Sequence, residues 1–170
     1  VGKQSLFVST TGTNNTALGD RTLQANTTAS NNTAVGKDAL YSNTTASNNT
    51  AVGYNSLDAN TTGENNASLG ASSLGANTTG SSNTALGMNA LRDNTTASNN
   101  TAVGLNALLI NSTGHSNTAL GKSSLTACTT GTHNIAVGLS SLAGLTEGVR
   151  NIAIGASAME NGTVIGEDNT

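Results

Sequence analysis

Few side chains in this sequence could do chemistry. There are two histidines, His115 and His133, one cysteine, Cys128, and nine carboxylates scattered among six basic residues. The histidines stand one repeat unit plus one residue apart, in turns. They read either as exposed turn residues or as a metal bridge between neighbouring coils. Serine and threonine abound, yet no histidine–carboxylate pair stands beside a distinctive serine. The carboxylates are too dispersed for paired acid–base work or an oxygen-rich calcium site. Cys128 occupies a slot that earlier units fill with asparagine, so it reads as a small buried side chain, with an inter-chain disulfide as the alternative. A protein without enzymatic activity, cofactor or metal is expected.

The elements that would position these groups are one 17-residue unit repeated along residues 1–170. Asparagine recurs at Asn15, Asn32, Asn49, Asn66, Asn83, Asn100, Asn117, Asn134 and Asn151. Glycine follows four places later, at Gly19, Gly36, Gly53, Gly70, Gly87, Gly104, Gly121, Gly138 and Gly155. Before each glycine comes an aliphatic: Leu18, Val35, Val52, Leu69, Leu86, Val103, Leu120, Val137 and Ile154. Four places after it stands Leu23, Leu40, Leu57, Leu74, Leu91, Leu108, Leu125, Leu142 or Met159. A fixed short period is the signature of a stacked-coil protein. The fold predicted is all-β, a parallel β-roll or solenoid of ten 17-residue coils forming a single repeat module. Each coil reads as strand, turn, strand, turn, with the asparagines as an inward ladder or turn brace, the glycines as bends and both aliphatic slots as core. The last three units, from about residue 134, change character: Ile135 and Ile152 replace threonine, and Asn-Thr-Thr gives way to Leu145-Thr146-Glu147 and Gly162-Thr163-Val164.

With 9% charged and 2% aromatic residues, the composition alone would suggest disorder, but the fixed slots override that reading. There is no basic stripe to track phosphates, so no nucleic-acid partner is expected. No apolar run approaches the ~20 residues needed to span a bilayer. Two large aliphatics per coil make a thin core, which asks for burial against sister chains. The slots after glycine and after leucine vary freely and mark the solvent face. Tyr41, Tyr54, Leu105, Leu109 and Ile110 are its candidates for contact with a partner. Asn-x-Ser/Thr sequons recur in two slots of the unit, too closely spaced along the stack for a glycan on every rung.

The phrase Asn-Thr-Ala-Val-Gly-x-x-Ala/Ser-Leu resembles the head repeats of YadA-like trimeric autotransporter adhesins, and resembles still more the repeats of phage-type tail fibres. The resemblance covers all ten units, though this unit is longer than that of the adhesin heads. It implies a left-handed β-roll of three chains around one axis, extracellular, on a cell or virion surface, serving as stalk or adhesive head. The implied partners are other copies of the chain and a host-cell surface receptor or glycan. The sequence opens mid-unit at Val1 and closes at Asp168-Asn169-Thr170, where a new unit would begin, so a segment of a longer fibrous protein is expected. A head-to-tail filament is the second reading. Ice binding is the third, disfavoured because the two adjacent threonines of each unit point to opposite faces.

Overall fold

The computed structural model describes residues 1–160 and 168–169. The expected irregularity at Gly162-Thr163-Val164 lies outside the described residues. Nine three-residue strands stack in one parallel sheet in sequence order: β1 (Thr16–Leu18), β2 (Thr33–Val35), β3 (Thr50–Val52), β4 (Ala67–Leu69), β5 (Thr84–Leu86), β6 (Thr101–Val103), β7 (Thr118–Leu120), β8 (Ile135–Val137) and β9 (Ile152–Ile154). Register is fixed at one unit throughout: Thr33 pairs with Thr50, and Ala34 with Ala51. The chain is a β-solenoid, with no helix among the described residues.

Two expectations are corrected. The aliphatics before glycine are not core. Leu18, Leu69, Leu120 and Ile154 are 47–72% exposed, and Val35, Val52, Leu86, Val103 and Val137 are half-buried. Strand side chains alternate between faces. From β2 to β9 the middle residue of the strand (such as Ala34, Ala51, Ala85, Ala102, Ala119 and Ala136) is buried, and this turns its neighbours outward. Met159, too, is only half-buried, packed at the edge of the core.

The second correction concerns the stretch around leucine, which forms a run of turns where a second strand was expected. Asp38 and Leu40 both have positive φ, at 61° and 51°, and the same two slots repeat this in every coil. A left-handed leucine costs roughly 1–2 kcal/mol. Its side chain is fully buried in each coil from Leu23 to Leu142, which contributes about 1.5–3 kcal/mol and outweighs the strain. The glycine before this run has no substitute. At Gly53, φ is 138° and a Cβ would sit 2.5 Å from the Gly70 carbonyl oxygen of the next coil.

Two buried asparagine rows tie coil to coil. In the first, the Asn32 Oδ1 accepts the backbone N–H of Asn49 at 2.8 Å, while its Nδ2 donates to the Ala46 carbonyl at 3.0 Å. The pattern runs from Asn15 to Asn151. In the second row the Asn60 Nδ2 donates to the Asn43 Oδ1 at 3.0 Å and to the Gly63 carbonyl at 2.9 Å. Ala46 is thus shared, accepting Asn32 and Asn43 together. The second-row sequons (Asn26, Asn43, Asn60, Asn77, Asn94 and Asn111) are fully buried and closed to glycosylation in the folded chain. The first threonine of each pair also bridges coils, as when the Thr61 hydroxyl donates to the Thr78 carbonyl at 3.0 Å.

The second row stops at Cys128. Its thiol cannot take the place of an amide, and the Asn111 Oδ1 is left buried without a partner. Burial raises the thiol pKa to about 11, and its full burial leaves no route to a disulfide with another chain. Asn77→Cys should reproduce this defect in mid-row and lower stability by about 1–3 kcal/mol, the cost of an orphaned buried acceptor. Cys128→Asn should gain no more than about 1.5 kcal/mol, because its own oxygen would then face buried Leu145. Urea unfolding of the two variants measures both, and a neutral Asn77→Cys would contradict the ladder's role.

Candidate functional site

The variable slots form three rows along one corner of the solenoid: the residue after glycine, the left-handed residue that follows it, and the residue after leucine. In coils two to four these rows bring Arg21, Lys37, Asp38, Tyr41, Tyr54, Asn55 and Asp58 around one cleft of about 310 Å³. Arg21, Asp38 and Asn55 are stacked neighbours in the left-handed row, with φ of 53°, 61° and 53°. Lys37 and Tyr54 share the row after glycine, Tyr41 and Asp58 the row after leucine. Residues 17 apart become neighbours by coil stacking, and the two tyrosines, 13 apart, meet across one coil boundary.

Asp38 is the floor of the cleft, 7% exposed. Its Oδ2 accepts Arg21 Nη2 at 2.7 Å and lies 4.0 Å from the Lys37 ammonium, while its Oδ1 is buried without a partner. The cations also stand over the rings, Arg21 at 5.4 Å from the Tyr41 centroid and Lys37 at 5.9 Å from that of Tyr54. The Asp38 side chain raises the Arg21 pKa. Asp58 is held above its ordinary value of 3.8, chiefly by burial. Two backbone amides oppose that shift, and the nearby Asp38 charge adds to it.

Of the sequence candidates, Tyr41 and Tyr54 are therefore brought together. Leu105 and Leu109 occupy the same rows, three coils beyond Tyr54 and four beyond Tyr41, and are half-buried, and Ile110 sits one row away at 36% exposure. The charged partners Arg21, Lys37, Asp38 and Asp58 were not singled out, although writing the sequence in lines of 17 places them beside the tyrosines. His115 and His133 meet edge to face, with ring centroids 5.2 Å apart on exposed turns. Among the described residues, no group of three or more His, Cys, Asp or Glu could hold a metal ion. No helix among the described residues is long and apolar enough to cross a membrane. Comparisons with protein-family models, curated proteins and solved structures find no match.

Because the folded state raises the Asp58 pKa, the carboxylate opposes folding once ionised. That cost is absent below 3.8, grows as pH rises through 3.8 toward the raised folded value, and is complete above it. Asp58→Asn should therefore be more stable than the parent at pH 7, with the gap closing near pH 3. Thermal melts at the two pH values check this, and a gap that widens on acidification would contradict it.

Proposed function

We propose that this chain is a non-enzymatic structural and adhesive segment of an extracellular fibre, in which three copies associate around one axis. The observation that carries this reading is the outward row of aliphatics before the glycines. From Leu18 to Ile154, nine of them run in register along one sheet face, several about half exposed. All-parallel sheets almost always have both faces covered. Here the inner face packs on alanine and leucine while the outer one presents this stripe, joined toward one end by Ile135 and Ile152, 38% and 37% exposed.

A second copy is the cover that fits. Its stripe repeats at the same ~4.8 Å coil spacing, so parallel copies in register place every rung against its own equivalent. A partner without that period would match at a few rungs only. Three chains rather than two follow the likeness to trimeric adhesin and tail-fibre repeats. The same packing accounts for a chain with so few large side chains inside its coil. The variable corner begins two residues after the stripe, past the glycine bend, and is the surface for adhesive contact.

Light scattering on the isolated chain should give a discrete particle of three times 16.7 kDa. Leu69→Glu with Leu86→Glu alters outward positions only, and should yield a folded monomer with an unchanged circular-dichroism spectrum. A parent that is monomeric, or a double variant that keeps the parent's mass, would overturn the reading. Open-ended growth would replace it with the head-to-tail filament.

A further inference from the structure

The cleft around Tyr41 and Tyr54 holds a concentration of chemistry that the fold does not require. Its rows hold Ala71, Met88, Gly75 and Ser72 in other coils, so the stack forms without aromatic or charged groups there. Yet both tyrosines of the chain, two of its six basic residues and two of its nine acids converge on this corner.

Its charges select the ligand. Arg21 and Lys37 against Asp38 and Asp58 sum to zero, so an anion meets two carboxylates and a cation meets two positive groups. A hydroxyl is at once donor and acceptor and suits both. The Asp38 Oδ1 is buried and unpaired on the floor, an acceptor that a hydroxyl would satisfy, and the Asp58 carboxylate stands half-buried at the wall as a further acceptor. The Asn55 amide adds one donor and one acceptor beside them. The tyrosine rings, 38% and 52% exposed, offer flat apolar surface for the C–H face of a sugar ring. At about 310 Å³ the cleft is at the small end of ligand sites, of the order of 300–1,000 Å³, room for one or two rings.

We infer that this cleft binds a neutral saccharide through one or two of its rings, with Tyr41 and Tyr54 as stacking surfaces and Asp38, Asn55 and Asp58 as hydroxyl partners. This deepens the adhesive part of the reading above and is independent of the trimer.

The chain contains no tryptophan, so its intrinsic emission comes from Tyr41 and Tyr54, both in the cleft. Titration with the methyl glycosides of glucose, galactose, mannose and N-acetylglucosamine should give a saturable change in that emission for at least one of them. The same glycoside should show saturation transfer in NMR. Tyr54→Ala and Asp58→Asn should each weaken its binding tenfold or more, by the NMR signal. Tyr54→Ala keeps the fold because the equivalent slot already holds Ala71, and its spectrum and mass check this. Four outcomes overturn the inference: no glycoside saturates; glycerol acts equally; phosphate or tetramethylammonium binds more tightly; or Tyr54→Ala binds as the parent does. Measuring particle mass alongside separates the two ideas, since a monomer that still binds the glycoside contradicts the trimer alone.

Discussion

One buried carbonyl accepting two asparagine amides holds each coil to the next. Ala46 takes Nδ2 of both Asn32 and Asn43, and Gly63 takes those of Asn49 and Asn60. The asparagine oxygens then point along the axis to the neighbouring unit. An interior of this kind needs few large side chains, because buried polar groups are satisfied by copies of themselves. It also demands repetition, since each amide is useful only if the next unit supplies its partner. Where Cys128 and Leu145 break the second row, Asn111 is left with an unanswered oxygen, and the first row carries the stack onward to Asn151 and Asn169.

The same register forces the rest of the geometry. Coils that stack closely leave no room for a Cβ at Gly53, and the chain must then turn within a few residues. It does so by placing leucine in a left-handed conformation, with the side chain aimed inward. Alanine is the inward residue of every strand but β4, where Ser68 takes the slot, because the leucine from the turn fills the space in front of it. The larger aliphatics of the strand are thereby sent outside, onto the outer face of the sheet. Inward and outward apolar side chains are thus divided between adjacent residues of one short strand.

The period, the parallel stacking, the buried asparagine rows and the inward leucine were legible because each rests on one residue type kept in one slot. The outward direction of Val35, Val52 and their equivalents was not, although the recurrent small residue beside them (Ala34, Ala51) was the available signal: a strand that must approach a filled core keeps alanine on that side. Nor was the turn around Leu40 legible, since left-handed leucine contradicts local preference and exists only through tertiary burial. The cleft at Tyr41 and Tyr54 lay between. Each tyrosine stood out as variable and exposed, but their convergence with Arg21, Asp38 and Asp58 depends on three rows meeting at one corner, which the linear sequence scatters over residues 21–58.

The most direct measurement is hydrogen exchange at the asparagine side-chain amides, resolved by NMR. Stacking through shared carbonyls predicts slow exchange for Asn32, Asn49, Asn43 and Asn60, fully buried and bonded across or within coils. Asn31 and Asn48, exposed on the turns, should exchange quickly. Uniform fast exchange across both groups would show that the ladders do not hold the coils together, and the account built on them would fall.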